Sequence, residues 1–296
     1  MEKPVFFAIA RIWSQGYSLY MKPIRLLAMD LDDTLLRSDL SISYRTKKVV
    51  KKAVSKGIAL ALVSGRVPAA MGEYSRTLGM NKRRGFLVSN NGALIHESDT
   101  QKTMHEAKIA PQIALAVYDL ADAEGFPVQL YESDIMYVSR QNEYSSYDQK
   151  LTGLRQEVVE DFHTLLNQGC YKLIIPGDPM LLEPLESIMR TYLENDITLF
   201  TSKPYNLEIL PPDTDKGKAL SMIAGLLGIE ADETMAIGDS MNDEAMIRWA
   251  GMGVCMINGD DRLKSAADIV SRLSNDDDGA AEIIEKYLLG RQEKNG

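Results

Sequence analysis

Short apolar runs that break off into acidic or small polar residues, each followed by a helical stretch, limit what this chain can fold into. Residues 24–29 form such a run and end in Asp30, and residues 43–56 then read as a helix with Ser43 as N-cap and Gly57 as its stop. Residues 58–63 form a second run that breaks at Ser64-Gly65. Residues 67–78 read as a second helix closing at Gly79, and residues 86–89 as a third strand ahead of Asn90-Asn91-Gly92. Strand and helix alternating in this order imply a parallel sheet with helices on both faces, and ligands of such sheets collect at the carboxyl ends of the strands. The polar residues that end the runs are therefore the candidate site.

The rhythm changes over residues 93–201. Residues 136–138 and 171–175 read as strands and residues 111–123 and 181–193 as helices, which suggests a separate α+β unit. Alternation resumes with a strand at 207–210, a helix at 216–227, a strand at 234–237 and a helix at 242–250, and an acidic turn, Asp276-Asp277-Asp278-Gly279, precedes a last helix. The expected fold is α/β: a Rossmann-like parallel-sheet core from residues 22–92 and 202–296, with residues 93–201 inserted as an α+β domain. Residues 1–21 stand apart. Their apolar run stops at Arg11, too soon for a signal peptide and far short of the roughly 20 residues of a membrane helix, so they read as an extension upstream of the fold.

Composition narrows the class of function. A net charge of -9 argues against a sequence-independent nucleic-acid binder, which gains affinity from basic surface. Cys170 and Cys255 are too few and too far apart for a disulfide framework or a zinc site, and a reducing cytoplasm is the expected compartment.

Four pieces carry chemistry. Asp30-Leu31-Asp32-Asp33-Thr34-Leu35 follows the first strand, and two carboxylates one residue apart can serve there as nucleophile and acid/base. Alone the string is also compatible with a solvated acidic turn. A calcium loop is excluded, because the glycine and the closing Glu of the twelve-residue pattern are missing. Ser64-Gly65-Arg66 can grip phosphoryl oxygens with a hydroxyl and a backbone N–H, although an ordinary strand-to-helix turn would look the same. Lys216 falls in the first turn of a helix capped by Thr214 or Asp213, where positive charge is disfavoured unless an anion is near; a solvated surface lysine is the alternative. Gly238-Asp239-Ser240-Met241-Asn242-Asp243 is the most specific: three polar side chains converge at a strand end, a spot that suits magnesium, whereas an N-cap at Asp239 or Ser240 would not account for the second carboxylate.

In this order, each at a strand end, the pieces resemble the haloacid dehalogenase superfamily, in particular its Cof-type branch with an α/β cap. Asn91-Gly92-Ala93 leading into the insertion, Ala250-Gly251-Met252-Gly253-Val254 and Asp278-Gly279 are similar to that branch as well. The resemblance implies a magnesium-dependent phosphatase that works through an aspartyl phosphate. It implies Asp30 as nucleophile and metal ligand, Asp32 as general acid/base that also gives the metal its backbone carbonyl, and Asp239 as the acidic metal ligand. Leu31, Ser64, Gly65, Lys216 and Asn242 would bind phosphate, with Asp243, Thr34 and Asn91 behind them. Asp33 stands where glycine is commoner, and Asp is among the few residues that tolerate a left-handed turn. Asp215 precedes Lys216 where a small residue is frequent, which could perturb the lysine.

The expected partner is a small phosphorylated metabolite, with no nucleic acid and no membrane, for a monomer or weak homodimer. Tyr131, Glu132 and Lys172 are candidate substrate contacts from the cap. Three other readings stay open: a phosphotransferase or mutase using the same phospho-Asp30, a signalling receiver, which the strand order and the insertion oppose, and a catalytically silent sugar-phosphate sensor.

Overall fold

The computed structural model describes residues 22–82 and 85–290, so the expectation for residues 1–21 falls outside them. The chain builds one sheet, leaves it for a second, and returns. The first takes β1 (Leu26–Met29), β2 (Ala59–Val63), β3 (Gly85–Ser89), β4 (Leu94–Glu97) and β5 (Thr103–Glu106). The second takes β6 (Gln129–Glu132), β7 (Ile135–Val138), β8 (Arg155–Val158), β9 (Leu173–Pro176), β10 (Thr198–Lys203) and β11 (Asn206–Leu210). The chain then rejoins the first with β12 (Thr234–Gly238), β13 (Met252–Cys255) and β14 (Ile269–Val270).

The larger sheet has the order β14-β13-β12-β1-β2-β3-β4-β5, parallel from β14 to β3 and antiparallel for β4 and β5. β1 lies between β12 and β2, so connections run off in opposite directions from it and leave a crevice at its carboxyl end. Helices α1 (Tyr44–Ser55) and α2 (Gly72–Leu78) follow β1 and β2. As expected, the Ser43 hydroxyl caps α1 by accepting from the Thr46 N–H at 3.0 Å, and Gly79 closes α2 at φ +78. Successive strand residues face opposite ways. Leu27, Met29, Leu60, Leu62 and Ile237 pack on α1, while Leu26, Ala28, Ala61, Val63 and Ala236 face the helices that flank β12. Each such fully buried leucine or isoleucine stabilises the fold by about 1.5–3 kcal/mol, which is why the runs are apolar without interruption.

The second sheet has the order β10-β11-β9-β6-β7-β8. Its helices are α3 (Pro111–Ala123), α4 (Glu143–Thr152), α5 (Phe162–Leu166) and α6 (Pro179–Leu193). Leu130, Leu173, Ile175, Leu207 and Ile209 pack on α3, α5 and α6. Tyr131, Met136, Val138 and Ile174 pack instead on Val67 and Ala70, just after Ser64-Gly65-Arg66. The architecture is thus a parallel-sheet α/β core carrying an inserted α+β unit over its crevice.

Strand membership corrects the expected boundaries. Residues 207–210 do not resume the core sheet: β11 pairs antiparallel with β9 and β10. At the other junction, β4 and β5 extend the core sheet as an antiparallel edge, although they fall within the stretch expected to be insertion. The crossings therefore lie after β5 and between β11 and the helix that begins at Lys216. No described helix is long and apolar enough to cross a membrane.

Candidate active site

The strand ends β1 and β12 build the centre of the site. Asp30 continues β1 by donating its N–H to the Ile237 carbonyl at 3.0 Å, and the chain then turns at Asp33, whose φ of +54 bears out the left-handed turn. The turn brings Thr34 back to donate to Asp239 Oδ1 at 2.8 Å. Gly238 is required here, since a Cβ at that position would lie 2.5 Å from Asp243 Oδ2. With that space open, Asp243 Oδ2 accepts from the N–H groups of Asp239 and Ser240 at 2.9 and 3.1 Å. Helix α7 (Lys216–Leu227) then inserts Lys216, 1 % exposed, whose Nζ donates to Asp30 Oδ1 at 2.6 Å and Asp243 Oδ1 at 2.5 Å. These are the anions that make a lysine tolerable at a helix N-terminus. The cap of α7 is neither Thr214 nor Asp213 but Asp215, which accepts from the Lys218 N–H at 2.7 Å; the residue expected to disturb Lys216 is occupied as the cap.

Asp30, Asp239 and Asp243 offer carboxylate oxygens all within 4.8 Å of one another. Burial pushes the Asp30 carboxyl well above its usual range; Lys216 pulls it down, and Asp243, Asp239 and Asp32 push it up again. Asp239 is raised to about 7, by burial and then by Asp243, against the Thr34 hydrogen bond and Lys216. Lys216 stays above its ordinary value despite burial, because Asp243 and Asp30 flank it. One ammonium among three carboxylates leaves the cluster short of positive charge. Oxygen-only donors converging on one buried point fit a hard cation.

A pH dependence follows. A carboxyl whose folded pKa is raised binds its proton more tightly in the native than in the unfolded state, so ionising it on folding is unfavourable and stability falls as pH rises. Chelator-treated protein is expected to lose melting temperature as pH rises from the ordinary aspartate range through about 7, the Asp239 value, and magnesium is expected to relieve that loss. A flat profile in chelator would show that the cluster is not strained by its charge.

The second half of the site lies at the ends of β2 and β3. Buried Ser64 accepts from the Arg66 N–H at 3.1 Å. The Asp32 carboxylate is not in the acidic cluster; it takes a two-pronged pair from Arg66, at 2.8 Å from Nε and 2.5 Å from Nη2. Leu31, buried, separates it from Asp30. Asn91, 2 % exposed, accepts at Oδ1 from Asn242 Nδ2 at 3.1 Å and donates from Nδ2 to Glu208 Oε2 at 3.1 Å. Lys172 donates to the Gly65 carbonyl at 2.9 Å, lies 3.5 Å from Glu208, and sits 5.1 Å above the Tyr131 ring. Of the three cap candidates, Tyr131 and Lys172 face the core, while Glu132, one residue on along β6, is exposed. Sequence reasoning passed over Arg66 and Glu208. Arg66 was in view within its motif, whereas Glu208 had only the signal of one acid inside an otherwise apolar run.

The site is thus an acidic cluster with a buried lysine, at the switch point of a parallel sheet and beneath an inserted α+β unit. The chain belongs to the haloacid dehalogenase-like hydrolases, whose family model matches residues 27–284. Phosphatase YwpJ of Bacillus subtilis is 29% identical over 292 residues, covering 90% of this chain and 100% of its own. The 5-amino-6-(5-phospho-D-ribitylamino)uracil phosphatase YcsE of the same organism is 29% identical over 266 residues, covering 90% and 96%. The crystal structure of a haloacid dehalogenase-like hydrolase from Bacteroides thetaiotaomicron superposes with a TM-score of 0.81 at 33% identity, covering 89% of this chain and 99% of that one. The protein is thus an enzyme of the hydrolase class, and relatives spanning most of its length are named phosphatases.

Proposed function

We propose that the protein is a magnesium-dependent phosphatase that hydrolyses a small organic phosphate monoester through a phosphoryl group carried on Asp30. The observation that carries this reading is Lys216, buried between Asp30 and Asp243 at the mouth of the parallel sheet. Phosphate esters resist attack because the nucleophile and the phosphoryl oxygens are both anionic, so catalysis depends on neutralising and orienting charge. Lys216 offers a fixed positive charge beside the attacking oxygen. Asp30 and Asp239, with the backbone carbonyl of Asp32, would hold magnesium, which when bound draws charge from the phosphoryl oxygens, and Asp243, held by Lys216 and two backbone N–H groups, would stand behind them.

In the first step an Asp30 oxygen bonds to phosphorus, the ester P–O bond breaks, and the leaving oxygen takes a proton from Asp32. In the second, Asp32 takes a proton from water, the water oxygen bonds to phosphorus, and the bond from phosphorus to Asp30 breaks. Arg66 holds the Asp32 carboxylate apart from the acidic cluster. The inserted unit would select the leaving group, and of the three cap candidates Tyr131 and Lys172 are the two that face the core. YcsE is named for a phosphorylated small molecule, and a small organic phosphate is the class proposed here.

The test is phosphate release across a panel of small phosphomonoesters. Release that requires magnesium and falls with calcium is expected, because calcium relaxes the near-octahedral geometry that magnesium demands. Full activity in excess chelator, or no release from any ester, would sink the reading. Transfer to a sugar hydroxyl without accumulation of free phosphate would favour a phosphotransferase.

Asp32→Asn is expected to keep phosphate binding while losing roughly 10²–10⁴-fold in turnover, the usual contribution of a positioned proton donor. Turnover close to the parent's at every pH would assign the proton to another group.

A further inference from the structure

Glu208 is 6 % exposed in the interior of β11 and stands opposite Ile174 in register, on the sheet face turned to the core. It belongs to the inserted unit, yet its Oε2 accepts from Asn91, a residue of the core. A carboxylate oxygen paired with a buried ammonium has no hydrogen to give. The Asn91 amide must therefore turn its NH₂ towards Glu208 and its oxygen away. That oxygen can only accept, so Asn242 must present its own NH₂ to it, as it does at 3.1 Å. The Ser240 hydroxyl donates to Asn242 Oδ1 at 2.6 Å, but a hydroxyl can equally accept, so the sense of the amide is set from the Asn91 side. Asn91 cannot evade the constraint by moving as a whole: its backbone sits at φ +55 and its N–H donates to the Ser64 carbonyl at 3.0 Å. Lys172 compensates the buried charge of Glu208 and ties it to the Gly65 carbonyl.

We propose that Glu208 is a positioning residue for the phosphate site: through Asn91 it fixes the Asn242 side-chain amide so that an N–H, and not the carbonyl oxygen, is left for a phosphoryl oxygen. The inference rests on the phosphatase reading above. Without the carboxylate, the Asn91 amide can reverse at little cost, and Asn242 can follow and turn an oxygen towards an anion. Because the phosphoryl group is common to every substrate, the effect falls on phosphate affinity and not on preference among leaving groups.

The experiment measures calorimetric binding of inorganic phosphate to the full-length, magnesium-loaded protein, with melting temperatures recorded for every variant. Glu208→Leu is expected to weaken phosphate binding by about 10-fold, the effect of losing one hydrogen bond to a charged group. Glu208→Gln, which keeps a carbonyl acceptor for Asn91, is expected to weaken it much less. The deciding comparison is a cycle with Asn242→Ala. If Glu208 acts through Asn242, Glu208→Leu has no further effect once the Asn242 amide is gone. An equal loss in both backgrounds, or unchanged affinity in Glu208→Leu, overturns the proposal. Should Glu208→Leu not fold with Lys172 left unpaired, the double replacement Lys172→Met/Glu208→Leu removes both charges and enters the same cycle with the same two readings. A parent protein that neither releases nor binds phosphate would overturn the phosphatase reading itself, and this inference with it.

Discussion

Replacing Asp30 with asparagine is expected to lower phosphate release by on the order of 10⁴-fold or more while the protein stays folded. Asparagine has nearly the shape of aspartate, and its side-chain oxygen can still accept from Lys216, which at present donates to Asp30 Oδ1 at 2.6 Å. Lys216 also keeps Asp243, so no buried charge loses its last partner. What is lost is a nucleophile, since the amide oxygen is a poor one and its nitrogen lone pair is delocalised into the carbonyl. Single-turnover assays with acid quenching provide the check: the parent is expected to carry acid-stable phosphate on the protein, and the variant none. A variant that kept most of its turnover would show that Asp30 is not the attacking group and that the cluster serves some other purpose.

The residues at strand ends were legible because they interrupt a physical pattern. Strands buried on both faces by helices must be apolar throughout, so Asp30, Ser64 and Asp239 stand out where the runs stop. The same reasoning explains the misplaced β11. Its burial is complete along Asn206–Leu210, and a central antiparallel strand buried on both faces presents the same near-continuous run as a parallel core strand. The chain instead crosses back within Pro211-Pro212-Asp213-Thr214-Asp215, a stretch whose prolines cannot serve a sheet ladder. β4 and β5 were hidden for the opposite reason. At the edge of the sheet they carry His96, Glu97, His105 and Glu106, so they lack the apolar signature of the strands beside them. The convergence of Asn91 on Glu208 depends on how the two sheets face each other, 117 residues apart along the chain. No local spacing encodes it.

Lys216→Met is expected to destabilise the metal-free protein by about 3–5 kcal/mol at neutral to basic pH, the cost of leaving buried carboxylates without their partner. Methionine fills much of the same volume, so packing is little changed and the effect is electrostatic. It should therefore depend on pH with a definite sign. Lys216 lowers the Asp30 and Asp239 carboxyls, so removing it moves both further up and lets them take protons at higher pH. Once protonated they no longer need the ammonium. The loss should be smallest below about 7, where Asp239 is protonated in parent and variant alike, and should grow as pH rises above that value, where the parent ionises while the variant still holds its protons. Magnesium supplies positive charge to the same carboxylates and should restore part of the stability, though not turnover, because the fixed charge beside the attacking oxygen is gone. Urea unfolding of parent and variant on either side of that pH, in chelator and in magnesium, measures all three effects. A destabilisation that was the same at every pH and indifferent to magnesium would mean that Lys216 is held for packing alone, and the charge balance proposed for this site would be wrong.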